Sequence, residues 1–76
     1  MITNDKVKEL FASINDRIEV SELDDNKDLT DQGLESLDTF DFFLQIEDDY
    51  GVKVSDDQMD KLNTVQKIVD YVNENK

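Results

Sequence analysis

The sequence of 76 residues contains no cysteine, no histidine and no proline. Without cysteine, a disulfide framework, a thiolate nucleophile and cysteine-type zinc sites are excluded. Without histidine, the chain lacks histidine metal ligands and the most common general base of enzymes. Most catalytic mechanisms therefore lack the side chains that they need, and we expect a protein that is not an enzyme.

Basic residues and long apolar runs are also scarce. Eight Lys and Arg residues stand against 20 Asp and Glu residues, which gives a net charge of −12. Such a charge repels nucleic acid and attracts basic protein surfaces. No apolar run approaches the about 20 residues that span a membrane, and the first residues do not resemble a signal peptide. We therefore expect a cytoplasmic protein without a membrane span that does not bind nucleic acid.

A chain of 76 residues is close to the lower limit for folding without disulfides or metals. We expect one domain, residues 1–76, with a small core made by helix packing. A first helix is predicted over about residues 4–17, with Thr3 or Asn4 as its N-cap. One face of this helix carries apolar residues three and four positions apart: Val7, Leu10, Phe11, Ile14 and Ile18.

The last third of the sequence predicts two more helices. Ser55 and Gln58 have the spacing of an N-cap and a third helical residue, ahead of a helix of at most two turns. Asn63 and Gln66 have the same spacing ahead of a final helix over about residues 64–74. The apolar stripe of that helix is Val65, Ile68, Val69 and Val72.

Residues 19–35 lack sustained periodicity and predict a long loop. Its apolar residues should hold it against the core: Val20, Leu23, Leu29 and Leu34. No segment has the alternating pattern of a strand. The sequence therefore predicts an all-α four-helix bundle, with a long loop between the first two helices and a short third helix.

The segment 36–50 predicts the second helix, with Ser36 as its N-cap and Gly51 as its stop signal. A serine hydroxyl at this position can accept a hydrogen bond from a free N–H of the first turn. The predicted core face of this helix contains Thr39, Phe42, Phe43, Ile46 and Tyr50.

A second apolar strip on this helix consists of Leu37, Phe40 and Leu44, and it is bordered by Asp41, Glu47 and Asp48. A narrow apolar strip edged by carboxylates suits the docking of a partner protein. The alternative is that Leu37 and Phe40 pack under the long loop and only complete the core.

The order of the helices, the segment Glu35-Ser36-Leu37-Asp38-Thr39 and the segment Glu47-Asp48-Asp49-Tyr50 resemble the acyl carrier protein family. The resemblance implies that Ser36 is esterified by 4′-phosphopantetheine, which a phosphopantetheinyl transferase moves from coenzyme A. It also implies that the arm holds acyl groups as thioesters for biosynthetic enzymes of fatty-acid, polyketide or related pathways.

In this family the second helix and the loop before it are what partner enzymes recognise. The resemblance therefore implies a set of partner-recognition residues: Glu35, Leu37, Asp38, Phe40, Asp41, Leu44, Glu47 and Asp48. The implied partners are the transferase and acyl-loading, condensing or acyltransferase enzymes with basic docking surfaces. The carrier itself is expected to be a monomer and to hold no metal.

Two features depart from the family pattern. Glu35 stands where the family most often has aspartate, and the segment Leu29-Thr30-Asp31-Gln32-Gly33 resembles the loop of specialised carriers. Both favour a carrier for a dedicated pathway, including one that carries aminoacyl groups, over the housekeeping carrier of fatty-acid synthesis.

Two other functions are compatible with parts of the sequence. Six residues fall at the ligand positions of an EF-hand calcium loop, although Leu29 replaces its glycine: Asp24, Asn26, Asp28, Thr30, Gln32 and Glu35. A carrier-like interaction module that is never modified would share the fold and differ only at Ser36.

Overall fold

The computed structural model describes residues 1–75, apart from the side chain of Val20. Its four α-helices are α1 (Asn4–Ile14), α2 (Ser36–Tyr50), α3 (Asp56–Lys61) and α4 (Val65–Asn75). Two short 3-10 turns, Val20–Glu22 and Leu29–Gln32, lie in the long connection between α1 and α2. Residues 1–75 contain no strand. The predicted all-α architecture, with its long loop and short third helix, is confirmed.

Helix α1 begins where the sequence predicts and ends earlier. The Thr3 hydroxyl accepts a hydrogen bond from the Lys6 N–H at 3.2 Å, so Thr3 is the N-cap. The predicted end near residue 17 is wrong, because Asn15 has an extended backbone and closes the helix at Ile14. The Asn15 side-chain oxygen accepts from the Arg17 N–H at 3.0 Å. This local bond competes with the helical hydrogen bonds and favours a turn.

The N-cap of α4 also differs from the prediction. The Thr64 hydroxyl, rather than Asn63, accepts from the Lys67 N–H at 3.1 Å. The Asn63 amide instead donates to the Asp28 carboxylate at 3.0 Å, and the Asn63 carbonyl accepts from the Leu29 N–H at 2.8 Å. Asn63 therefore attaches the long loop to the segment between α3 and α4. By contrast, the predicted cap of α3 is confirmed by a 3.3 Å bond from the Gln58 N–H to the Ser55 hydroxyl.

The core is centred on three phenylalanine rings. Phe11 of α1 stacks on Phe42 of α2, with ring centroids 4.3 Å apart and planes 12° from parallel. Phe43 meets Phe42 edge to face at 5.4 Å. As predicted, loop side chains also reach the core: Leu23, Leu29 and Leu34 are buried. The predicted contact of the Val20 side chain lies outside the described residues.

A polar junction holds the loop to both terminal helices. The Asp25 carboxylate pairs with the Lys8 ammonium at 2.7 Å and accepts from the Asn4 amide at 2.8 Å. The Asp25 carbonyl accepts from the Gln66 N–H at 2.9 Å. The hydrogen bond from Lys8, followed by that from Asn4, lowers the pKa of Asp25 below its ordinary value. The middle of the loop is thus fixed to α1 and α4, and the end of the loop leads into α2.

Candidate functional site

The turn before α2 places Ser36 at the surface. Gly33 has a φ angle of 99°, in the left-handed region that favours glycine, and it ends the 3-10 turn that begins at Leu29. The Leu34 N–H donates to the Leu29 carbonyl at 3.2 Å, and the Leu34 side chain is buried. The next two residues, Glu35 and Ser36, are exposed. The left-handed turn at Gly33 therefore buries Leu34 and leaves Ser36 accessible.

The prediction that Ser36 is the N-cap is wrong by one residue. Glu35 is the N-cap, with an extended backbone, and its carbonyl accepts the 3.2 Å bond from the Thr39 N–H that opens the helix. Ser36 is the first helical residue. The physical reason is the Asp38 carboxylate, which accepts from the Glu35 N–H at 3.0 Å and stabilises the helix start without the serine hydroxyl.

Asp38 also connects the start of α2 to the end of α1. The carboxylate oxygen that accepts from Glu35 accepts a second hydrogen bond, from the Asn15 amide, at 3.0 Å. In addition, the Thr39 hydroxyl donates to the Ser36 carbonyl at 2.7 Å. The backbone on both sides of Ser36 is therefore held by side chains, while its own side chain is exposed.

A groove between α2 and α3 begins beside Ser36. Its open part has a volume of about 410 Å³, and Leu37, Phe40 and Met59 give it an apolar wall. Asp56 and Asp60 of α3 also line it. An adjoining pocket of about 150 Å³ shares Ser36, Thr39, Met59 and Asp60 with the groove and is completed by residues of the long loop and the α3–α4 segment: Asp28, Leu29, Thr30, Leu62 and Asn63.

The predicted apolar strip on α2 faces solvent. Leu37 is 66% exposed, and Phe40 and Leu44 are each 44% exposed. The alternative in which Leu37 and Phe40 pack under the long loop is therefore wrong. On the other face of α2, Phe42, Phe43 and Ile46 are buried, as predicted.

The acidic residues predicted for partner recognition have different surroundings. Glu35, Asp41 and Asp48 are exposed. Glu47 is partly buried and lies 3.9 Å from the Lys53 ammonium, while Asp38 is partly buried and hydrogen-bonded as described above. The structure adds two acids from outside α2, Asp56 and Asp60, which line the groove. Sequence periodicity alone did not find them, because their position depends on how α3 packs.

The residues at the EF-hand positions bond to one another and to the rest of the loop. Asp28 accepts from the Thr30 hydroxyl at 2.6 Å and from the Thr30 N–H at 2.9 Å. The hydroxyl bond is the main reason that the pKa of Asp28 is lowered. The Gln32 amide donates to carbonyls within the loop, including that of Asp24 at 3.2 Å. Within residues 1–75, no cluster of three acidic side chains forms a metal-sized site.

None of the helices in the described part of the chain is both long enough and apolar enough to cross a membrane.

Comparison with known proteins identifies this arrangement. Residues 5–72 match the family model described as "Phosphopantetheine attachment site". An acyl carrier protein of Buchnera aphidicola subsp. Schizaphis graminum (strain Sg) is 36% identical over 69 residues, which cover 90% of this chain and 86% of the relative. An acyl carrier protein of Buchnera aphidicola subsp. Acyrthosiphon pisum (strain Tuc7) is 36% identical over 44 residues, 58% of this chain and 55% of the relative.

A solved structure of the acyl carrier protein from Enterococcus faecalis is similar over 99% of this chain and 100% of its own, with a TM-score of 0.71 and 28% identity. A four-helix bundle that matches a phosphopantetheine attachment model defines a carrier protein for that prosthetic group. More particularly, the chain belongs to the acyl carrier protein family.

Proposed function

We propose that Ser36 carries the 4′-phosphopantetheine arm and that the chain presents acyl groups to enzymes on the thiol of that arm. The arm supplies this thiol, which the cysteine-free chain lacks. The Ser36 oxygen forms a bond to the pantetheine-side phosphorus of coenzyme A and becomes the ester oxygen of the phosphodiester, while its hydroxyl proton passes to a base of the transferase. The pyrophosphate P–O bond of coenzyme A breaks in the same step, and adenosine 3′,5′-bisphosphate leaves. The chain itself needs no general base for this step.

The observation that supports this proposal is the accessibility of Ser36 at the first residue of α2. Its side chain is exposed, and the Asp38 carboxylate stabilises the helix start in place of the serine hydroxyl. Backbone N–H groups and the helix dipole at this end of α2 favour a bound phosphate group. The apolar groove of about 410 Å³ beside Ser36 provides a surface for the arm. The residues present therefore fit the group.

We infer that partner enzymes recognise the exposed strip of Leu37, Phe40 and Leu44 together with the acids around it. Glu35, Asp41 and Asp48 are exposed, with Asp38 and Glu47 partly exposed. A basic surface around an apolar contact would complement this face. The partners are thus the transferase and acyl-transferring or condensing enzymes with basic docking surfaces. We also propose that the carrier acts as a monomer in the cytoplasm.

Glu35 and the loop that ends at Gly33 favour a dedicated biosynthetic pathway over housekeeping fatty-acid synthesis. Fatty-acid synthesis is the alternative pathway, and the name of the relatives, acyl carrier protein, does not distinguish between the two.

The attachment site is tested by mass spectrometry of the intact protein after incubation with coenzyme A, Mg²⁺ and a broad-specificity phosphopantetheinyl transferase. We expect one phosphopantetheinyl increment on the unmodified sequence and none on Ser36→Ala. Ser13→Ala, which replaces an exposed serine on α1, is the matched control and should load normally. An increment on Ser36→Ala would show that another residue is modified. Absence of any increment on the unmodified sequence would favour the unmodified interaction module.

A further inference from the structure

The partly buried side chain of Asn15 joins the end of α1 to the start of α2. Its amide nitrogen donates to the Asp38 carboxylate at 3.0 Å, across 23 positions of the sequence. The same carboxylate oxygen accepts from the Glu35 N–H at 3.0 Å. Two consecutive hydrogen bonds therefore connect α1 to the backbone immediately before Ser36.

Bonds at the end of α1 fix the orientation of the Asn15 side chain. The Asn15 N–H donates to the Phe11 carbonyl at 2.8 Å, and the Asn15 carbonyl accepts from the Ile18 N–H at 3.2 Å. The side-chain oxygen accepts from the Arg17 N–H at 3.0 Å. The reversed amide would lose this bond and would place its oxygen against the Asp38 carboxylate, so the nitrogen must face α2. The donor that Asp38 receives is therefore held in place by the end of α1.

The bond between Asn15 and Asp38 lies one helical turn from the stack of Phe11 on Phe42. Asn15 follows Phe11 by four residues, and Asp38 precedes Phe42 by four, as in two helices that run in opposite directions. Four residues correspond to about 6 Å along a helix axis. Stacked rings hold the helices together but tolerate small shifts, whereas a hydrogen bond weakens steeply when it is bent. The Asn15 bond therefore fixes the first turn of α2 relative to α1.

We infer that Asn15 is a positioning residue for the loading of Ser36, given that the arm is attached there as proposed above. Ser36 lies between Glu35 and Asp38, the two residues that the bonds from α1 hold. A displacement of a reacting group by about 1 Å can cost about a hundredfold in rate. A carrier without the Asn15 bond should therefore receive the arm several-fold more slowly. Because Asn15 lies at the end of α1, outside the α2 strip proposed for docking, binding of the transferase should change little.

Single-turnover loading with coenzyme A, Mg²⁺ and a broad-specificity phosphopantetheinyl transferase tests this role. Samples are quenched over time at a series of transferase concentrations, and the loaded fraction is measured by mass spectrometry of the intact protein. For Asn15→Ala, the maximal rate should fall at least about fivefold, while the transferase concentration that gives half of this rate should change less than about twofold. A change in the half-maximal concentration alone would assign Asn15 to docking and overturn the positioning role.

Asn73→Ala is the matched control. The Asn73 side chain accepts from the Ile2 N–H at 3.0 Å and donates to the Ile2 carbonyl at 3.2 Å, so it also joins two parts of the chain that are distant in sequence. Its removal should lower the free energy of unfolding, but the maximal rate of loading should stay within about twofold of that of the unmodified sequence. An equal fall in rate for the two variants would show that stability alone governs loading, and the positioning role would be wrong.

Asn15→Asp separates the donor from the shape of the side chain. The aspartate keeps an acceptor for the Arg17 N–H, but its ionised form cannot donate to Asp38 and repels that carboxylate. Loading should slow at least as much as in Asn15→Ala, and this variant decides the question if Asn15→Ala does not fold. Normal loading of Asn15→Asp would overturn the need for the donor. In an Asp38→Ala background, Asn15→Ala should cause no further loss of rate, because the bond is already absent.

Amide hydrogen exchange provides a measurement that does not depend on the transferase. The Glu35 N–H should exchange several-fold faster in Asn15→Ala than in the unmodified sequence, and its rate should be unchanged in Asn73→Ala. If the unmodified sequence does not load, the attachment site is contradicted, and the role of Asn15 in loading with it. Loading of Asn15→Ala at the unmodified rate overturns the positioning role and leaves Ser36 in place. Faster exchange of the Glu35 N–H would then show that the bond serves only the fold.

Discussion

At the scale of single residues, Asp38 has the largest effect on how Ser36 is presented. One oxygen of its carboxylate accepts hydrogen bonds from the Glu35 N–H and from the Asn15 amide, each at 3.0 Å. The first bond stabilises the start of α2, and the second holds that start against the end of α1. Ser36 lies between Glu35 and Asp38, so its position follows from theirs.

We therefore expect Asp38→Ala to lower the free energy of unfolding by about 1–2 kcal/mol, because it removes a helix-capping acceptor and leaves the Asn15 amide unpaired. Ser36→Ala should change it by less than about 0.5 kcal/mol, as is usual for an exposed side chain without a capping role. Urea denaturation measures both values.

Asp41→Ala is the control, since it removes the same charge from an exposed position in the middle of α2. Its free energy of unfolding should be close to that of Ser36→Ala. A loss for Ser36→Ala as large as that for Asp38→Ala would mean that the serine hydroxyl stabilises the helix start after all.

At this scale, the sequence-based predictions were wrong for the N-caps of α2 and α4. Ser36 and Asn63 are both residue types that favour N-caps, and each lies next to the true cap. In both cases a second side chain decides the outcome: Asp38 supports Glu35 as the cap, and Thr64 takes the position that Asn63 could fill. Asn63 is used instead to bind Asp28, a contact 35 residues away that no local pattern reveals.

At the scale of elements, α2 has two faces with different surroundings. Burial of Phe42, Phe43 and Ile46 stabilises the fold by about 1.5–3 kcal/mol for each side chain. Leu37, Phe40 and Leu44 remain exposed and contribute little to the core. The helix is therefore fixed by one face, and the other face, which we propose as the docking surface, is exposed to solvent.

Reversal of charge on the exposed face should impair partner binding more than folding. For Asp41→Lys, we expect the KM of the transferase for the carrier to rise about fivefold at low salt, which corresponds to about 1 kcal/mol. The kcat should stay unchanged, because Ser36 is not displaced. In high salt the effect should disappear, since the charges are screened.

Asp70→Lys changes the net charge equally, but it lies on α4, where Asp70 is exposed. The KM of the transferase should change much less for Asp70→Lys than for Asp41→Lys. Equal effects of the two variants would indicate that only the total charge matters, and the proposed docking face would then be incorrect.

Periodicity predicted the helices well and their mutual packing poorly. The bounds of α2 and its two faces follow from the spacing of apolar residues and from Gly51, whose φ of 71° ends the helix. The stack of Phe11 on Phe42 and the approach of Asp56 and Asp60 to Ser36 depend on contacts between helices. The spacing within one helix contains no information about such contacts.

At the scale of the whole molecule, a net charge of −12 is confined to a body with a radius of gyration of 11.0 Å. Repulsion among so many carboxylates destabilises the compact state. Asp25 and Asp28 act in the opposite direction, because they bond the long loop to α1 and to the α3–α4 segment. These two aspartates therefore stabilise the fold more when they are ionised than when they are protonated.

The direction of their pH dependence follows from linkage. The bonds from Lys8 and Asn4 lower the pKa of Asp25 below its ordinary value of 3.8, and those from Thr30 lower the pKa of Asp28. A carboxyl whose pKa is lower in the folded than in the unfolded chain stabilises the fold above the unfolded value. That stabilisation is lost as the pH falls from 3.8 through the lower folded value.

Asp25→Asn should consequently be less stable than the unmodified sequence near neutral pH, and the difference should narrow as the pH falls below 3.8. Thermal unfolding of both proteins across this range measures the difference directly. Because protonation of the other carboxylates relieves repulsion at the same time, Asp41→Asn serves as the control for charge alone. That variant removes a repelled charge from an exposed site, so it should equal or exceed the unmodified sequence in stability near neutral pH. A constant deficit for Asp25→Asn at every pH would mean that the junction depends on the shape of the side chain and not on its charge.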